Sequence, residues 1–170
     1  MSSRRKPDVR CLGLDTSNYT TSAAVFGESA AQNCGKLLEV PEGALGLRQS
    51  DAVFQHVRRL PDMVAALRDS GVLSDRPDAV GASTRPRAVD GSYMPCFLVG
   101  AGQGRTMASV LGVPFYAFSH QQGHLAAAAW SAGRLELLDE PHLAWHLSGG
   151  TTELLYVEPD GCAPAARCIG

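Results

Sequence analysis

The chain opens with two short apolar runs separated by a polar interruption. "VRCLGLDT" has the composition of a buried strand, "SNYT" is rich in turn-forming side-chain oxygens, and "TSAAVFG" reads as the returning strand of a hairpin. After a link of small residues, "GKLLEVP" predicts a third strand. The period then changes. In "SDAVFQHVRRLPDMVAALRDSG", Val53, Val57, Leu60, Val64 and Leu67 recur at steps of three and four, the spacing of a helix face. Ser50 or Asp51 could cap that helix, Gly71 could stop it, and Pro61 should kink or divide it. Next come a short strand in "DAVGAS", a helix in "FLVGAGQGRTMASVLG", a strand in "VPFYAFS" and a helix in "HLAAAAWSAGRLELL". Three strands, helix, strand, helix, strand, helix is an α/β layout and implies a mixed sheet.

The opening pattern then recurs. An offset of 131 residues lays "LGLDTSNYTTSAAVF" over "LAWHLSGGTTELLYV", so that Leu12, Ser17, Thr20 and Thr21 meet Leu143, Ser148, Thr151 and Thr152. Both units read as strand, polar turn, strand, and "APAARCIG" could be the third strand of the second. The expected division is a tail over residues 1–9, a first lobe over 10–139 and the start of a second over 140–170, with the second half of a duplicated fold cut early. Opposed polar turns of this kind suit a nucleotide: backbone N–H groups of Gly, Ser and Thr turns form anion-binding concavities, and the hydroxyls add donors without charge.

Composition sharpens the picture only in places. The 170 residues, 45% of them hydrophobic, suffice for a real core, and a formal charge of −2 supplies no global basic footprint, so nucleic acid would have to meet a local patch or a partner subunit. Five cysteines, widely spaced and never in a CxxC pair, argue against a disulfide framework or a cysteine zinc site and fit a reducing cytoplasm. The charged start and the early break of the first apolar run give neither a secretory signal nor a membrane span.

"LGLDTSNYTTSAAV", "SHQQGHLAAA" and "LSGGTTELLYV", in that order, resemble the N-terminal half of the tRNA threonylcarbamoyladenosine transferase family (TsaD, formerly labelled O-sialoglycoprotein endopeptidase). The resemblance implies an actin/hexokinase/Hsp70-like nucleotide-binding fold, with the first lobe complete and the second truncated. It also implies transfer of a threonylcarbamoyl group from threonylcarbamoyl-adenylate to N6 of adenosine 37 in tRNA. The family's HxxxH motif maps onto His120 and His124, which would be ligands to one divalent metal ion (iron, zinc or magnesium). At a helix start, a spacing of four puts both imidazoles on one face. The family's third ligand, an aspartate near its far C-terminus, has no counterpart here. Its SGGxT loop maps onto Ser148, Gly149, Gly150, Thr151 and Thr152, which would contact the adenylate or its phosphate. Asp15 would be a polar or acid–base group near the cleft.

Three departures accompany the resemblance. Asp15 stands where the family commonly has glutamate, Thr151 where its loop usually has histidine, and "STRPRAVDGSYMPCFLVG" where it has a Gly-Pro-Gly-rich stretch, so that Arg85 and Arg87 could meet an anionic ligand. Gly100, Gly104 and Arg105 would be scaffold for the cleft, the glycines serving packing; the segment is not a phosphate loop. His56 and His142 read as surface or packing residues and His146 as structural. Implied partners are tRNA and TsaB-like and TsaE-like proteins, and the 170-residue chain alone should be inactive. The rival is a non-catalytic actin-like paralogue serving as a scaffold. A metalloprotease is disfavoured because HxxxH lacks the glutamate of HExxH.

Overall fold

The computed structural model describes residues 9–28, 30–148, 151–160 and 163–169. Elements follow in the order β1 (Cys11–Asp15), β2 (Thr20–Phe26), β3 (Ala31–Leu37), α1 (Gln49–Asp69), β4 (Ala79–Arg85), α2 (Phe97–Leu111), β5 (Phe115–Ser119), α3 (His120–Ser131), a short 3-10 turn (Leu135–Leu138), β6 (His142–Ser148), β7 (Thr151–Asp160) and β8 (Ala163–Cys168). The chain divides by its contacts into two units, one of residues 1–84 and 93–117 and the other of 85–92 and 118–170.

The first five strands form a sheet in the order β3-β2-β1-β4-β5. It is mixed, as the element order implies, because β1 pairs antiparallel with β2 and parallel with β4. In the first unit one face of the sheet carries the core. Leu12 and Leu14 of β1, Ala23 and Val25 of β2, and Val80 and Ala82 of β4 pack with Leu60 and Leu67 of α1 and Val99 and Ala108 of α2.

Several sequence expectations shift in detail. The third strand is "AQNCGKL" rather than "GKLLEVP", because the hairpin register runs from Phe26↔Ala31 to Thr20↔Leu37 and uses up the small-residue link. That strand is an exposed edge with no alternation, which hid it from a pattern reading. Helix α1 runs unbroken through Pro61, so proline does not divide it. Neither Ser50 nor Asp51 caps it: the N-cap is Arg48, without a side-chain cap bond. Gly71 does follow its end, at φ +83°. Its buried face is Ala52, His56, Leu60 and Leu67, while Val57 is exposed, so the true stripe is rotated from the one the aliphatic residues suggest.

Helix α2 packs closely because of its glycines. A Cβ on Gly104 would lie 2.9 Å from Phe115 Cε2 and 3.4 Å from Leu14 Cδ1, and one on Gly100 would lie 3.0 Å from Thr16 Oγ1. The packing role expected of both glycines is therefore the one they have.

In the second unit β6, β7 and β8 form an antiparallel sheet. Its first hairpin matches the β1-β2 hairpin pair for pair at the 131-residue offset: Cys11↔Phe26 corresponds to His142↔Val157, and Asp15↔Ser22 to His146↔Glu153. The match does not extend to the third strand, where Val25↔Gln32 is replaced by Tyr156↔Arg167.

Candidate functional site

Residues of the expected site fall in both units. Asp15, in the first, ends β1 and engages both oxygens: Oδ1 accepts from the Ser17 amide at 2.7 Å and Oδ2 from the Ser83 hydroxyl at 2.5 Å. The first bond closes an Asx turn, so the carboxylate shapes the polar turn that follows it. Beside it, buried Thr16 donates to the Cys96 carbonyl at 2.8 Å and accepts from the Gly100 amide at 3.1 Å, tying the turn to the start of α2.

His56 is fully buried beneath this region, with Nδ1 2.8 Å from Thr21 Oγ1 and with Nε2 lacking a partner among the described residues. Burial pushes its pKa down to about 4, against the opposing pull of Asp15 and with a smaller push from Arg59 in the same direction as burial. The ring is neutral at neutral pH. A proton on Nδ1, donated to Thr21, leaves a lone pair rather than an N–H unsatisfied at Nε2, the cheaper orphan of the two.

In the second unit, α3 begins at His120, four residues before the predicted start. A capping box sets it there: Ser119 Oγ accepts from the Gln122 amide at 3.2 Å and Gln122 Oε1 accepts from the Ser119 amide at 2.8 Å. Gln122 Nε2 also donates to the Pro164 carbonyl, and the Gln121 amide to the Pro86 carbonyl, which pins the first turn. His120 and His124 therefore sit one helical turn apart on one face. Their Nε2 atoms are 2.8 Å apart, and their rings meet edge to face at 4.3 Å. Among the described residues no group of three His, Cys, Asp or Glu is arranged to hold a metal ion.

Next to this pair lies a buried acid that sequence reasoning missed. Glu153 of β7, 7% exposed, accepts from Arg87 Nη1 at 2.8 Å and from Gln121 Nε2 at 3.3 Å, and lies 3.3 Å from His146 Nδ1. Arg87 thus meets an anion of its own chain, whereas Arg85 is exposed. The His146 ring lies 5.9 Å from that of His124. Glu153 shares a strand face with Leu155 and Val157, both buried, but Leu154 and Tyr156 make the other face apolar too, so alternation did not mark it.

Of the SGGxT residues, Ser148 and Thr151 pair across the end of the β6-β7 hairpin and Thr152 is an exposed strand residue opposite Leu147. Gly149 and Gly150 lie outside the described residues.

Comparison with known proteins converges on one family. The family model for TsaD, tRNA N6-adenosine threonylcarbamoyltransferase, matches residues 42–163. A tRNA N6-adenosine threonylcarbamoyltransferase of Rhizobium etli is 32% identical over 163 residues, 91% of this chain and 42% of that protein. One from Corynebacterium aurimucosum is 41% identical over 108 residues, 62% of this chain and 28% of that protein. The chain thus spans less than half the length of these curated relatives. Among solved structures, YeaZ from Pseudomonas aeruginosa superposes with a TM-score of 0.58 at 20% identity, over 95% of this chain and 65% of that one. That likeness carries the fold, a mixed-sheet α/β chain of the actin/hexokinase/Hsp70-like class expected from the sequence. By the family match and the sequence identity together, the chain belongs to the TsaD family of tRNA N6-adenosine threonylcarbamoyltransferases.

Proposed function

We propose that this chain supplies the metal-binding part of a transferase that moves a threonylcarbamoyl group from its adenylate to N6 of adenosine 37 in tRNA, in the cytoplasm and with TsaB-like and TsaE-like partners. The observation that carries the reading is the convergence of His120 and His124 Nε2 atoms at 2.8 Å at the start of α3. Two imidazole nitrogens on one ion with bonds near 2 Å stand roughly 3–3.5 Å apart, so a slight opening of the pair fits a divalent metal. When bound, such an ion supplies Lewis-acid polarisation and a template at the carbonyl and phosphate.

The chain's own residues have distinct parts in this reading. His120 and His124 hold their Nε2 atoms together on a helix face fixed by Ser119 and Gln122, one nitrogen donating to the other the proton that a metal would displace. Asp15 accepts from the Ser17 amide and the Ser83 hydroxyl, which holds its carboxylate in place at the start of the first polar turn. Ser148, Gly149, Gly150, Thr151 and Thr152, the residues that match the SGGxT loop, would meet the adenylate's phosphate or its threonyl end in this reading. Residues 10–139 correspond in this proposal to the first actin-like lobe and 140–170 to the start of the second.

A scaffold role is the second reading, favoured by the lack of a three-ligand group among the described residues. The test is threonylcarbamoyladenosine content of bulk tRNA, by mass spectrometry, in cells with and without the intact gene. Loss of the nucleoside, restored by wild type but not by His120→Ala, supports transfer. An unchanged level, or full rescue by His120→Ala, overturns it in favour of the scaffold.

A further inference from the structure

We propose that His56 is a positioning residue for the transferase: through Thr21 it holds the first polar turn, and with it Asp15, in the arrangement that transfer requires. The inference rests on the transferase reading above. Three observations lead to it. First, the turn is held at both feet. Thr16 and Thr21 stand one step beyond Asp15↔Ser22, the last pair of the β1-β2 ladder, where the hairpin opens into the turn. Thr16 is bonded to the Cys96 carbonyl and the Gly100 amide at the start of α2, and Thr21 Oγ1 lies 2.8 Å from His56 Nδ1 of α1. Each helix thus fixes one foot. Between them Ser17 closes the turn: its amide donates to Asp15 Oδ1 at 2.7 Å and its carbonyl accepts from the Thr20 amide at 3.1 Å.

Second, the pair is polar where packing alone would favour apolar residues. Thr21 shares its strand face with Ala23 and Val25, and Thr16, Thr21 and His56 are all fully buried. Exchanging a buried hydrogen-bonded pair for apolar groups of the same shape is nearly neutral, so the bond is not needed to fill the space. What it adds is direction. It sets Thr21 at one distance from α1, and Thr21 is the neighbour of Ser22, the ladder partner of Asp15.

Third, the duplicated hairpin does without such a clamp. The 131-residue offset lays Thr16 on Leu147 and Thr21 on Thr152, and both of these are exposed, so neither is held from within a core. A strand, turn and strand therefore form without it. The clamp belongs to the half that carries Asp15, whose oxygens are engaged by Ser17 in the turn and by Ser83 of β4.

The test separates positioning from packing. The double variant Thr21→Val with His56→Leu replaces both partners by apolar groups of similar shape, whereas Thr21→Ser and His56→Asn each keep a polar partner in place. Amide hydrogen exchange, followed by NMR, is read at Ser17 and Thr20 relative to Val80, whose amide is bonded to the Pro114 carbonyl, so that a uniform change in stability cancels. The double variant should exchange about tenfold faster at the turn on this relative scale, and the two conservative variants should keep the wild-type ratio. If the double variant does not fold, Thr21→Val alone gives the same ratio. An unchanged ratio makes His56 a packing residue and overturns the proposal. In cells, threonylcarbamoyladenosine in bulk tRNA should fall with the double variant of the intact gene and return with Thr21→Ser or His56→Asn. A normal level with the double variant overturns the positioning role and leaves the transferase reading standing. A level that does not depend on the gene at all overturns both, and the amide ratio then reports a clamp without that role.

Discussion

The two hairpins share their register and a polar turn in sequence, yet they bury opposite faces. In the first, Leu12, Leu14, Ala23 and Val25 lie within the core beneath α1 and α2, each 4% exposed or less. At the equivalent positions of the second, Leu143 and Trp145 are 61% and 64% exposed. There the opposite face is closed, with Leu155 and Val157 at 1% and Glu153 bonded to α3 through Gln121. Register within a hairpin is therefore a local property, whereas which face becomes core depends on the helices supplied to it. The same contrast separates chemistry from packing, since the second hairpin turns its His146–Glu153 pair towards α3.

Four experiments probe this difference, the largest effect first. Leu12→Ala should cost about 2–5 kcal/mol in urea unfolding, whereas Leu143→Ala, its counterpart, should fall within about 0.5 kcal/mol of wild type. Equal losses would show that the second face is covered in solution. Acid should act selectively on the first unit. Because folded His56 stays neutral down to about pH 4 while its unfolded form protonates near 6.5, stability is fully present above 6.5 and declines as pH falls towards 4. Between pH 7 and pH 5 the loss should be about 2 kcal/mol, and His56→Gln should flatten that part of the profile.

Closer packing gives the third. Gly104→Ala pushes a methyl against Phe115 and Leu14 and should cost about 1–3 kcal/mol, read by thermal unfolding, and a neutral outcome would mean that α2 can retreat from the sheet. The smallest effect on stability belongs to Trp145→Ser with Leu147→Ser. Both side chains are more than 60% exposed, so the double variant should keep its melting temperature but show less self-association in sedimentation velocity. Unchanged association would remove the exposed stripe as its cause.

Much of this arrangement was legible in the residues. The order of elements, the mixed sheet and the repeated hairpin follow from period and punctuation, whereas the pairing of His120 with His124 came from their spacing together with the family resemblance. What escaped had physical reasons. The start of α3 was written in Ser119 and Gln122, but the alanine run after His124 is the louder helix signal. Glu153 stands in "TTELLYV", where residues on both faces of the strand are largely apolar, so alternation cannot say which side is buried. Its partners, Arg87 and Gln121, come from other elements. His56 occupies a helix position whose sequence neighbours Val53 and Val57 look like the better core residues, although Ala52 and Leu60 share its face. The Gly149 and Gly150 part of the expected loop lies outside the described residues.

The capping box at Ser119 and Gln122 has a consequence for the order of events. Because the first turn of α3 is closed by its own side chains, the two histidines are set on their common face without waiting for an ion to gather them. Small zinc domains fold only when loaded. On the proposed metal-binding reading, assembly would come first and loading second, so that a chelator would leave the helix standing.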